Sequence, residues 1–342
     1  MAVSLENERA LPTTFIWRRL QSLAGLWLVL FLIEHLVTNS MSALAIGDDG
    51  KGFIAAVNSF QEFPYLRAIE ILFLGLPFAI HMIWGTIYLF SAKYNSMTVS
   101  DAAPKLNHYA RNHAYTWQRV TSYLLLIGVI AHVVQMRFID YPDHQSIGSQ
   151  NYYLVEVQAD PGLQTVTERL GTHTWTAERV ELLGQSLKVT SNDTRITPGL
   201  IESYQPYSDP LRHPEVENSP IDEAKMIQEW VADMNRFLVA LQKHTCKPEM
   251  RVVVAPDFGT AELLVVRETF KSPLQMILYS LFVLAACFHA FNGLWTFLVS
   301  WGVAVTSRFF RGMARVSTVL TFLFSLLGLA SIWLTYWVNL RH

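Results

Sequence analysis

The sequence predicts an all-α membrane protein: five transmembrane helices in one bundle, with a small α+β extramembrane domain inserted between helices 3 and 4. Three observations predict it. The chain is 51% hydrophobic and only 16% charged, with a mean hydropathy of +0.24, whereas soluble domains carry roughly 25% charged residues. Five apolar runs are each long enough to cross a hydrocarbon core of about 30 Å, which takes about 20 helical residues. The stretch between the third and fourth runs is polar and far too long for an ordinary loop.

In chain order the runs are Ile16–Val37, Ala68–Phe90, Thr116–Phe138, Ser272–Val299 and Val316–Val338. They divide the chain into residues 1–138 with three helices, an insert at 139–271, and residues 272–342 with two helices. The segment MAVSLENERALPTT ahead of the first run has no basic head. The run exceeds signal-peptide length and lacks a small-residue cleavage site, so a retained membrane helix is expected. In the insert, Asn151–Ala159 (NYYLVEVQA) and Arg251–Phe270 (RVVVAPDFGTAELLVVRETF) read as strands, the latter broken by a PDFG turn signal. Between them, Asp222–Lys243 places Met226, Trp230, Met234, Phe237 and Leu241 at helical spacing. The insert histidines His144, His173, His213 and His244 show no metal-ligand spacing.

Basic residues orient the bundle. Nine of them (Arg18, Arg19, Lys93, Lys105, Arg111, Arg119, Arg308, Arg311 and Arg315) fall on the side of the N-terminus, against Lys51 and Arg67 on the other. A cytoplasmic N-terminus is expected, with the insert and the C-terminus outside. The net charge of −2 argues against nucleic-acid binding, which needs a basic face. Cys246 lies in a polar stretch and Cys287 in an apolar one, an unlikely setting for a structural disulfide.

Four histidines fall inside apolar runs, one in each of the first four: His35, His81, His132 and His289. Ionisable groups in a bilayer are costly and usually mark function. At 1.5 Å per residue, His35 and His132 lie roughly 22 and 18 Å above the inner apolar edge. On the descending helices, His81 and His289 lie roughly 8–12 Å above that edge. The four therefore sort into two pairs at two depths. Two imidazoles at one depth on facing helices are what a haem iron with two axial ligands requires. With no CxxCH motif, such haems would be held by ligation alone. Gly25, Gly85, Gly128 and Gly293 beside the ligands are candidates to make room for the rings. The cytochrome b of bc complexes, with two histidines on each of two helices, does not fit. A transporter using histidines as a proton relay is the alternative from another class; Glu34 and Glu70 are its acidic candidates, and no inverted repeat accompanies them.

The stretches WRRLQSLAG and FLIEHLVTN, FPYLRAIEILFLGLPFAIHMIWG, WQRVTSYLLLIGVIAHV and FHAFNGLWTFLVSWGVAVTSR resemble the single-chain, five-helix, two-haem cytochrome b anchor of succinate dehydrogenases, in particular the menaquinone-using ones. The likeness covers all five helices and not residues 139–271, where that family usually has a short connection. It implies a subunit that takes electrons from flavoprotein and iron–sulfur subunits on the cytoplasmic face of a bacterial membrane. Two haems b pass them to menaquinone or another quinone. The same family also runs in reverse as quinol:fumarate reductase. By motif, His81 and His289 would hold the inner, proximal haem, and His35 and His132 the outer, distal one. Gln21, Ser22, Gln118 and Arg119 are candidate donors to haem propionates. Asn39, Arg67 and Glu70 are candidates for a quinone site. A fumarate-reductase relative has a glutamate two residues before its fourth ligand; here that residue is Cys287, which puts a proton path of that design in doubt.

Overall fold

A computed structural model describes residues 12–91, 110–147, 150–192, 220–244, 249–303 and 306–342. Cys246, His213, Lys93 and Lys105 lie outside the described residues. Among the described residues five helices are long and apolar enough to span a membrane: Thr13–Leu44, Leu66–Phe90, Asn112–Ile139, Pro273–Ser300 and Ser307–Asn339. They coincide with the five expected runs and extend beyond most of their ends, because polar and aromatic flanks continue the helical backbone past the hydrocarbon-length core.

The first helix, α1 (Thr13–Leu44), starts just after Pro12, whose carbonyl takes the amide of Phe15 at 2.8 Å. A short helix α2 (Lys51–Gln61) follows. The second span is interrupted. It consists of α3 (Leu66–Glu70), a π-turn at Ile71–Gly75, and α4 (Leu76–Ser91). Pro77 explains the break: it has no N–H for the carbonyl four residues back, that of Phe73. The indole N–H of Trp27 on α1 donates to that carbonyl instead. The third span is α5 (Ala110–Val134), ending in a second π-turn at Gln135–Ile139.

The chain forms two compact units. The first takes the described parts of 1–40, 62–132 and 277–330. It is a helical bundle with buried Ala24, Leu36, Ala285, Phe291 and Phe324 inside, where Phe291 and Phe324 stack at 5.2 Å. Its outward side chains stay uncovered: Ile127 is 71% exposed and Phe322 68%. Apolar surface on that scale suits lipid and not water.

The second unit takes 41–61, 133–276 and 331–342. Its four strands are β1 (Asp143–Ile147), β2 (Gln150–Gln158), β3 (His173–Trp175) and β4 (Met250–Ala255). They form an antiparallel sheet in the order β1-β2-β4-β3. Its helices are α6 (Leu163–Arg169), α7 (Ala177–Asn192), α8 (Pro220–His244) and α9 (Phe258–Thr269). Leu154, Val252 and Val254 pack one face of the sheet against Leu183 of α7 and Phe237 and Leu241 of α8. Val155, Val157 and Val253 pack the other against Leu264 and Val265 of α9. The strand over Asn151–Ala159 and the helix over Asp222–Lys243 are found as expected.

The reading of Arg251–Phe270 as two strands is half wrong. Residues 250–255 are β4, but Phe258–Thr269 is helical. Asp257 caps that helix, its carboxylate accepting from the Thr260 amide at 2.8 Å and the Thr260 hydroxyl at 2.8 Å. Nearly every side of α9 is buried, so the helical periodicity that marks an amphipathic helix is absent from its sequence. Within α9, Arg267 is fully buried and binds the Leu340 carbonyl and Asp160 at 2.7 and 2.9 Å. Burial alone would raise the pKa of Asp160; Arg267 and Lys271 outweigh it and hold the carboxyl below its usual range. Glu262 is the opposite case. Burial pushes its pKa up to about 7, with Arg137 pulling down and Asp140 pushing up.

The remaining helices are α10 (Pro273–Ser300) and α11 (Ser307–Leu334), the latter ending in a π-turn at Thr335–Asn339.

Candidate functional site

The bundle brings the four span histidines together in two pairs. His81 on α4 and His289 on α10 face each other with ring centroids 6.2 Å apart and planes at 86°. His35 on α1 and His132 on α5 do the same at 5.9 Å and 75°. These are the two pairs that helix depth predicted.

The first pair is supported by main chain. Nδ1 of His81 lies 3.2 Å from the carbonyl of Gln21, and Nδ1 of His289 lies 3.2 Å from the carbonyl of Gln118. A carbonyl only accepts, so Nδ1 carries the proton in each ring and Nε2 carries the lone pair. A helical carbonyl is usually screened by the side chain one turn on. For Gln21 that residue is Gly25, and a Cβ there would come within 2.8 Å of Cε1 of His81. The glycine is what lets the imidazole reach the carbonyl. Around His289, the Gln118 amide donates to the His289 carbonyl at 3.0 Å and accepts from Asn292 at 2.6 Å. The Thr121 hydroxyl lies 3.4 Å from the His289 Nδ1.

The second pair is supported by side chains. Nδ1 of His132 lies 3.2 Å from the Tyr279 hydroxyl. Phe31 stacks on His35 at 5.4 Å, and Phe282 leans on His132 at 5.8 Å. Gly128 makes room for Phe282, since a Cβ there would fall 2.5 Å from its ring.

The two halves of this arrangement repeat. His35 follows Gln21 by fourteen positions on α1, and His132 follows Gln118 by fourteen on α5. Gly85 follows His81 by four residues and Gly293 follows His289 by four. A Cβ on Gly85 would lie 3.5 Å from the Gln21 amide nitrogen, and one on Gly293 would lie 3.5 Å from that of Gln118. The helix pair α1–α4 and the pair α5–α10 thus present the same carbonyl-to-imidazole contact twice.

Among the described residues no three His, Cys, Asp or Glu side chains gather as a metal cluster. Two facing imidazoles cannot complete a tetrahedral or octahedral shell by themselves; they suit an ion whose other positions a macrocycle fills. Two nitrogens roughly 2 Å from one ion put the ring centroids roughly 6 Å apart. Both pairs have that spacing.

The other predicted site residues are placed as follows. Gln21 and Gln118 meet the histidines directly. Ser22 accepts from the Trp301 indole at 3.1 Å. Arg119 is buried and donates to the Leu89 carbonyl at 2.9 Å. Asn39 turns its amide back onto the His35 carbonyl at 2.8 Å. Arg67 is exposed and Glu70 half-buried on α3. Tyr279, Asn292 and Thr121 touch the histidines or their supports without having been singled out. Asn292 sits inside the FHAFNGLW motif, and Tyr279 has no sequence signal at all.

The chain is similar to the succinate dehydrogenase cytochrome b558 subunit of Bacillus subtilis (strain 168), at 36% identity over 124 residues. The match is 36% of this chain and 55% of that subunit, so the chain spans about half the length of the curated relative it matches. The relationship is a distant one. No family model matches, and no solved structure matches. With five spanning helices and this relative, the chain is a multi-pass membrane protein.

Proposed function

We propose that this chain is the dihaem cytochrome b anchor of a succinate dehydrogenase, carrying electrons from an iron–sulfur subunit to menaquinone or another quinone. The observation that carries the reading is the pair of facing imidazole couples, each at a spacing that seats one metal ion between them. In each couple the two imidazoles would hold one haem and leave no ligand position open, which would suit electron transfer over oxygen binding. Haem b supplies one-electron redox chemistry when bound. His81 and His289 would hold the inner haem, and His35 and His132 the outer. The Gln21 and Gln118 carbonyls fix the tautomer of the inner pair and raise its basicity.

The N-terminus is cytoplasmic, where the basic residues concentrate, and the flavoprotein and iron–sulfur subunits dock on that face of a bacterial cytoplasmic membrane. The insert and the C-terminus are outside. Asn39, Arg67 and Glu70 are the quinone contacts near the outer haem in this reading. Ser22 and Arg119 are carried forward as propionate donors at the inner one.

The test is purification of the full chain from haem-replete cells in detergent, with whatever binds it. Two low-spin b-type haems per chain and co-purification of a flavoprotein and an iron–sulfur protein are expected. A haem-free chain from such cells would overturn the reading.

A further inference from the structure

Resting on the dihaem reading, we infer that Tyr279 is a positioning residue that tunes the outer haem through His132. The Tyr279 hydroxyl lies 3.2 Å from Nδ1 of His132, and the two rings meet edge to face at 5.7 Å. Once Nε2 of His132 binds iron, Nδ1 must carry the proton, so the phenol oxygen is the acceptor. Phe282 packs edge-on against Tyr279 at 6.3 Å and leans on His132 at 5.8 Å. The hydroxyl is thus held against the imidazole by an aromatic wedge.

This contact differs in kind from those of the inner pair. Main-chain carbonyls back His81 and His289 at 3.2 Å, with the Thr121 hydroxyl farther off at 3.4 Å from the His289 Nδ1, and no substitution removes a carbonyl. A side chain backs His132, so the basicity of this one ligand is set by the residue at position 279. An acceptor on Nδ1–H makes the imidazole a stronger donor and favours the oxidised iron. Removing the acceptor therefore raises the midpoint potential of the outer haem and leaves the inner one alone.

The experiment is a redox titration of the α-bands in the complex as isolated, comparing wild type with Tyr279→Phe and Tyr279→Gln. The outer haem is identified as the one lost in His35→Ala. The phenylalanine keeps the aromatic wedge and deletes only the oxygen. Its expected result is two haems per chain, an upward shift of the outer midpoint alone, and an altered low-spin signal of that haem in electron paramagnetic resonance. Tyr279→Gln, which restores an acceptor, is expected to bring the midpoint back toward wild type. Loss of the outer haem alone in Tyr279→Phe, with recovery in Tyr279→Gln, also supports the role. Two haems with unchanged potentials, or a shift confined to the inner haem, overturns it. A wild-type chain without haem sinks the dihaem reading itself, and is told apart by the haem content measured first.

Discussion

The His81–His289 pair and the His35–His132 pair share one ring spacing but not one kind of support. Behind the first stand two backbone carbonyls, reached at the same 3.2 Å from equivalent glutamines. The second has a tyrosine hydroxyl at 3.2 Å on His132 and an aromatic stack on His35. Main-chain support is fixed by helix packing; side-chain support can be altered one residue at a time. The difference teaches that the inner pair is built by the repeated helix hairpin, and the outer pair by what each half adds to it.

The largest way to break this comparison is to remove a ligand. His289→Ala is expected to lower the haem-to-chain ratio from two to one, deleting the inner haem and the transfer of electrons from succinate to quinone. Pyridine haemochrome analysis and low-temperature spectra measure it, and loss of the outer haem alone would show the pairs to be wrongly drawn. Next in size are the glycines. Gly25→Ala drives a methyl to within 2.8 Å of the His81 ring, so inner haem occupancy should fall several-fold. Gly128→Ala meets the Phe282 ring first and not a histidine, so outer haem is expected to be retained with a perturbed spectrum. Equal effects of the two glycines on both haems would erase the distinction.

A smaller change tests the Gln118 side. Asn292→Ala removes the 2.6 Å donor to Gln118 but leaves the carbonyl contact to His289. A loss of about 1 kcal/mol in thermal stability is expected, with both haems in place. The remaining change lies away from the histidines, in Glu262 of the sheet unit, whose raised pKa of about 7 stands against an ordinary 4.5. The folded state favours its neutral form, so this stabilisation is complete below the unfolded pKa and is lost as pH rises through about 7. Glu262→Gln should therefore raise the thermal midpoint of the full chain at about pH 8 and leave it nearly unchanged at about pH 4. A gain of equal size at both values would assign the effect to packing and not to charge.

The sheet unit also marks where a sequence stops being readable. In the amphipathic helix α8, periodicity survives because one side faces away from the core. In α9 ten of twelve residues are buried, and a run such as AELLVV then reads equally well as strand. Its helical state rests on the Asp257 cap and on burial from several sides. The burial exists only once the sheet unit has folded around this segment.

The four span histidines, and the facing of His81 with His289 and of His35 with His132, were legible in the sequence alone. A helix has a fixed rise per residue and a bilayer a fixed thickness, so position in the chain becomes height. What backs each imidazole was not. That Gln21 and Gln118 serve through their carbonyls, that Gly25 opens one of them, and that Tyr279 reaches His132 depend on helix rotation and closeness. Those are settled by how the helices pack, which no single helix encodes.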